Sequence, residues 1–198
     1  MSGTPPEAPM TLPKPLRMSA DEFIPWAMER EGRFELASGE VVAMAPERAA
    51  HARTKAAAWS ALRDAIRDAG LPCEALPDGM AVRVDDTTVY EPDASLRCGA
   101  PLADDAVEFS DPIVVVEVLS PSTRARDAGA KLADYFRLPS VRHYLILRTD
   151  TRAAIHHARG EDGAIATAIV TEGALRLDPP GVAIALEAVF GTASDAPA

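Results

Sequence analysis

At 198 residues, 47% hydrophobic and 25% charged, the chain has the size and composition of one globular domain, which excludes wholesale disorder. Its net charge of -10 and pI near 4.8 exclude a protein that coats nucleic acid through bulk positive charge, but not a concentrated carboxylate site with a local basic rim. The longest apolar stretch, Pro112 to Leu119, is broken by Glu117 and falls far short of the roughly 20 residues that span a bilayer, so no membrane association is expected.

Residues 1–17 hold five prolines and no apolar periodicity, which predicts a flexible leader. They lack the basic start and apolar middle of a signal peptide, so the protein is expected in the cytoplasm. Ser19 and Glu22 have capping-box spacing, and Phe23, Trp26 and Ala27 recur at helical intervals, predicting a first helix to about Arg30 that includes Pro25. Phe34 to Leu36 and Glu40 to Met44 flank Ser38-Gly39, the pattern of a β-hairpin. A long helix is predicted from Pro46 to Ala69, with Trp59, Leu62, Ile66 and Ala69 on one face and Gly70 as its stop.

Strands follow at Met80 to Val84, Asp93 to Arg97 and Ile113 to Leu119, and the Val-Val-Val run marks the last as buried on both faces and central. Ser122 or Thr123 can cap a helix reaching about Arg137, after which Val141 to Leu147 and Arg152 to His157 are apolar strands. Ala164 to Val170, Leu175 to Leu177 and Val182 to Ile184 read as short terminal strands, and Leu186 to Phe190 as a last turn. The order predicts an α/β or α+β fold with a mixed sheet flanked by helices, one domain over residues 18–190 and a frayed tail at 191–198. Cys73 and Cys98 have no ligand spacing and are expected to be reduced and structural.

Three residues carry the candidate chemistry. Glu117 interrupts the most buried strand, where a carboxylate must be paired, protonated or metal-bound, unless strand alternation carries it to a solvent edge. Asp93 opens another strand after Glu91-Pro92; it is either a turn cap or, with Glu117, half of a hard oxygen site suited to Mg²⁺. Lys131 follows on the next helix, with Asp127 and Tyr135 one turn to either side on the same face. A solvated Asp-Lys pair competes with a lysine that the short Ser120-Thr123 connection returns to the carboxylates.

The stretch from Glu117 to Asp127, Glu-Val-Leu-Ser-Pro-Ser-Thr-Arg-Ala-Arg-Asp, followed by Lys131 and Tyr135, resembles the Uma-type restriction endonucleases of the PD-(D/E)XK superfamily. Phe34-Glu35-Leu36, Gly39-Glu40, Met44-Ala45-Pro46, His51 and Glu91-Pro92-Asp93 match further motifs in the same order, so the resemblance covers about residues 18–157. It implies a restriction-endonuclease-like core and an endonuclease acting on DNA. It also implies Mg²⁺ or Mn²⁺ held by Asp93, Glu117 and the Val118 carbonyl, with Lys131 orienting water. The superfamily's lysine usually follows the glutamate by two residues; here position 119 is Leu, and the resemblance implies that Lys131 substitutes from the helix. Leu145 and Arg148 stand where the family commonly has Trp and Asp, a departure that touches packing and partner contacts.

Glu35 matches an acidic family position and reads as a third ligand or orienting group, or as a surface hairpin residue. His51 reads as a phosphate or water contact, or as a helix-start residue. Arg124 and Arg126, at a helix N-terminus, suit phosphate contacts or a solvated basic face, while Asp127 and Tyr135 are candidate orienting groups. Cutting both strands of a duplex would favour a homodimer. Two rivals remain: an inactive relative serving as a binding or assembly module, and a serine hydrolase on Ser120 or Ser122 that lacks a Gly-x-Ser-x-Gly elbow. His156-His157 has no partner at a zinc-ligand spacing.

Overall fold

A computed structural model describes residues 16–119 and 127–191. The expected leader up to residue 15, the tail beyond 191, the expected helix cap at Ser122 or Thr123, and Arg124 and Arg126 lie outside the described residues.

The first half builds a small sheet. Helix α1 (Ala20–Met28) starts with the expected capping box, Ser19 Oγ accepting from the Glu22 amide and Glu22 Oε2 from the Ser19 amide. It buries Ala20 and Phe23 against β1 (Phe34–Ala37), whose Leu36 is fully enclosed. The hairpin from β1 to β2 (Glu40–Ala43) turns at Ser38 and Gly39, both at positive φ, which matches the twist of two-residue hairpin turns. Strands β4 (Ala81–Asp85), β5 (Thr88–Tyr90) and β7 (Glu108–Phe109) complete a five-stranded sheet in the order β2-β1-β5-β4-β7, with β4 and β7 parallel.

Helix α2 (Ala49–Asp68) lies against a larger sheet through Thr54, Ala58, Leu62 and Ile66, a stripe at every fourth residue. It begins three residues after the expected Pro46, because Arg48 is still extended, and Ala69 is an exposed cap rather than a core residue. The larger sheet comprises β3 (Cys73–Pro77), β6 (Ala94–Cys98), β8 (Val114–Leu119), β9 (His143–Arg148), β10 (Ala153–Arg159) and β11 (Ile165–Val170). Its order is β11-β10-β9-β8-β6-β3, and β8 and β9 run parallel. Helix α3 (Asp127–Tyr135) leads from β8 back to β9, while the hairpin β12 (Ala174–Leu177) and β13 (Val182–Ala185) and helix α4 (Leu186–Phe190) close the α2 side.

The mixed α+β architecture follows the sequence expectation, but it is divided into two principal sheets rather than one. Strands β3, β5 and β7 were not expected: β5 and β7 are too short to show alternation, and the pattern of β3 is broken by Glu74, whose carboxylate takes Arg97 of β6 at 2.9 Å. The reduced-thiol expectation is corrected as well. Cys73 and Cys98 stand opposite one another in the β3–β6 register and are disulfide-bonded, a contact that motif spacing could not reveal across a separation of 25 residues.

Candidate metal and nuclease site

Strand β8 distributes its side chains to two cores. Val114, Val116 and Val118 point toward α2, and Val115 points toward the small sheet and α3, where it joins Tyr90, Tyr135 and Tyr144. Alternation therefore sends Glu117 to the second side, between the sheets. The antiparallel β6–β8 ladder ends at the pair Ala94 and Val116. Asp93, in the bend just before β6, lies beyond that ladder; it lines the same cleft as Glu117, and its charge acts on the Glu117 carboxyl.

The end of the ladder leaves the Val118 amide without a strand partner on that edge, and Asp93 Oδ2 accepts it at 2.6 Å. In an extended strand the N–H and C=O of one residue point the same way, so the Val118 carbonyl is directed toward the Asp93 edge. The other Asp93 oxygen lies 3.1 Å from His51 Nε2, near the start of α2. Helix α3 brings in the cation: Lys131 Nζ donates to Glu35 Oε1 at 2.8 Å and to Glu117 Oε1 at 3.1 Å. Tyr135, one turn later, donates its hydroxyl to the same Glu117 oxygen at 3.1 Å. The Tyr90 ring lies beneath the amine, 5.0 Å from Nζ to its centroid.

Four charged groups are thus enclosed at 8% exposure for Glu35, 5% for Asp93, 8% for Glu117 and 8% for Lys131. They line a cleft of about 340 Å³ whose apolar lip is the 42–46 segment. Burial pushes the Glu117 carboxyl up to about 7; the Lys131 charge opposes this, and the Asp93 and Glu35 charges add to it. Burial works against the Lys131 charge, but Glu117 and Glu35 outweigh it and raise its pKa above the ordinary lysine value. Lys131 therefore stays charged, and Glu117 is the partner whose protonation changes near neutrality. Burial also raises the Tyr135 phenol well above 10, keeping it a neutral donor. Burial tends to lower the His51 pKa, but its hydrogen bond to Asp93 reverses the effect and raises it.

Of the residues singled out in the sequence, the structure brings Glu35, His51, Asp93, Glu117, Val118, Lys131 and Tyr135 to one cleft. With Leu at position 119, the lysine arrives from α3. Leu145 fills the core completely, while Arg148 pairs with Asp150 at 3.2 Å. His156 bonds His143 at 2.9 Å and His157 bonds Thr167 at 2.8 Å, so the neighbouring histidines diverge. The Asp127 side chain lies outside the described residues.

Sequence reasoning missed Glu47 and Tyr90. Among the described residues, Glu47, His51 and Asp93 form one group of possible metal ligands, with ligand atoms within 4.8 Å of one another. The available signal was the four-residue spacing of Glu47 and His51, the same one-turn spacing that drew notice to Asp127, Lys131 and Tyr135.

A family model described as "Uma2: Putative restriction endonuclease" matches residues 20–190. An uncharacterized protein from Synechocystis sp. is 26% identical over 176 residues, covering 88% of this chain and 92% of the relative. The crystal structure of "a putative nuclease belonging to DUF820" from Anabaena variabilis superposes with a TM-score of 0.70 at 12% identity, covering 87% of this chain and 97% of that one. At that identity the likeness speaks for the fold alone. No helix among the described residues is long and apolar enough to cross a membrane.

Proposed function

Since the chain belongs to the Uma2 family of restriction-endonuclease-like proteins, we propose that it is a Mg²⁺-dependent endonuclease that hydrolyses phosphodiester bonds in DNA. The observation that carries this reading is the meeting of Lys131 with Glu117 at 3.1 Å in a cleft that Asp93 also lines. The donor set fits a hard divalent cation, because Asp93 and Glu117 supply carboxylate oxygens and Val118 directs a carbonyl to the same edge. When bound, Mg²⁺ or Mn²⁺ would offset the charge that builds on the phosphoryl oxygens and lower the pKa of water.

The remaining work falls to side chains. Lys131 presents a charged amine to water and phosphate, and Glu35 holds that amine from the small sheet while itself accepting the Glu91 amide at 3.1 Å. Tyr135 fixes one Glu117 oxygen, and among the described residues the other has no hydrogen-bond partner. His51 orients Asp93. Arg124, Arg126 and Asp127 remain proposed contacts or orienting groups for the flanking strand. We also propose a homodimer for duplex cleavage, and the cytoplasm as its location, a reducing compartment that works against the Cys73–Cys98 bond.

The test is nicking of supercoiled DNA by the full chain in Mg²⁺ and in EDTA. Cleavage should require the cation and disappear in D93N. Cutting that proceeds in EDTA, or that survives D93N, sinks the reading.

A further inference from the structure

We infer that the cleft carries a second divalent-cation site, made by Glu47, His51 and Asp93, whose imidazole donor favours Mn²⁺ and related transition ions over Mg²⁺. The inference shares Asp93 with the proposed nuclease site and rests on that reading only for the use to which the ion is put.

Geometry provides the first argument. Glu47 lies in the extended entry to α2 and His51 in its first turn, and both line the Asp93 side of the cleft. The three ligand atoms lie within 4.8 Å of one another, and His51 Nε2 is 3.1 Å from Asp93 Oδ1, a separation that two neighbouring ligands of one ion can adopt. Side-chain exposure runs from 21% at Glu47 through 14% at His51 to 6% at Asp93, so an ion here would be held from below and reached by water or phosphate from above.

The surrounding charges are a second argument. Arg33 contacts Glu47, Asp78 and Glu91 at 3.0, 3.0 and 2.9 Å, and Lys55 contacts Glu47 and Asp78 at 2.5 and 2.7 Å. With Asp93, four carboxylates meet two permanent cations, and a metal ion at His51 would take the place of the proton that Asp93 favours there. Both cations contact Oε1 of Glu47, and among the described residues its Oε2 takes no partner. The network can therefore aim the carboxylate without consuming it.

Donor chemistry sets the preference. Mg²⁺ takes oxygen ligands and keeps its waters, whereas imidazole suits transition ions. The Asp93–Glu117 pair offers oxygen alone, so the two sites should differ in what they select.

The experiment is Mn²⁺ titration of EDTA-stripped, dialysed full-length protein, with free Mn²⁺ counted by electron paramagnetic resonance and Mg²⁺ added as competitor. Folding of each variant is checked by circular dichroism. Wild type should bind two Mn²⁺, one of them resistant to Mg²⁺; H51A and E47Q should each weaken the resistant ion about tenfold or more. E117Q should lose the Mg²⁺-sensitive ion and keep the other. Wild-type Mn²⁺ binding in both H51A and E47Q overturns the inference. E47Q, altered at the more exposed ligand, reads the same site should H51A fail to fold. If H51A and E47Q behave as expected but E117Q binds like wild type, the second site stands and the nuclease reading loses Glu117 as a ligand.

Discussion

Lys131 on α3 holds two carboxylates from two different sheets at once, Glu117 of β8 at 3.1 Å and Glu35 of β1 at 2.8 Å. This amine supplies the internal positive charge that lets the acids be buried without a metal. K131M should therefore leave both acids uncompensated and cost about 3–5 kcal/mol in metal-free protein, part of it recovered in Mn²⁺. Urea unfolding in EDTA measures it; a loss under about 1 kcal/mol would mean that the pair is solvated and weak.

E117Q should behave differently, because Lys131 keeps Glu35 as a partner. Burial raises the folded pKa of Glu117 from 4.5 to about 7, so the folded state retains a proton that the unfolded chain has released across this window. Stability from this group is full below pH 4.5 and lost as pH rises to 7, by up to roughly 3 kcal/mol. The variant in EDTA should therefore gain on wild type over that window and match or exceed it at pH 8. Calorimetry across the range checks this, and strong destabilisation at pH 8 would make Glu117 a structural ion-pair partner.

The Tyr135 hydroxyl donates to the same Glu117 oxygen from a fully buried ring. Y135F removes a donor that favours the charged acid, so it should cost about 1–3 kcal/mol at pH 8 and move the Glu117 titration upward. A carboxyl signal followed by NMR reads the titration directly. A downward movement would contradict the assigned hydrogen bond.

The Cys73–Cys98 bond ties edge strand β3 to β6, one strand from Glu117. Thiol titration in denaturant should find no free thiol before reduction, and reduction should cost about 2–4 kcal/mol of stability. Two reactive thiols in the untreated protein would restore the reduced reading.

The mixed α+β class and the meeting of Lys131 with Glu117 were both legible in the sequence. Glu117 announced itself by breaking a valine run, and Lys131 by following one connection later. Both signals survive in one dimension because burial cost and chain continuity are local constraints. The strand count was less legible: the two residues of β7 carry no periodicity, and they pair with β4 through contacts set by the whole domain. Glu35 posed the same difficulty. Its hairpin could be read from Ser38-Gly39, but nothing local shows that the small sheet folds over α3 to meet Lys131, 96 residues on. Glu47 remained hidden because three of its four immediate neighbours, Ala45, Pro46 and Arg48, suggested only the entrance to a helix.

Asp93 and Glu117 are proposed to bind a divalent cation together, and anomalous scattering from a crystal of the full chain soaked in Mn²⁺ tests this most directly. An anomalous peak is expected between the two carboxylates, within coordination distance of the Val118 carbonyl, with loss of that peak in E117Q crystals. Mn²⁺ only at Glu47 and His51, or no peak beside Asp93 at saturating ion, would contradict it.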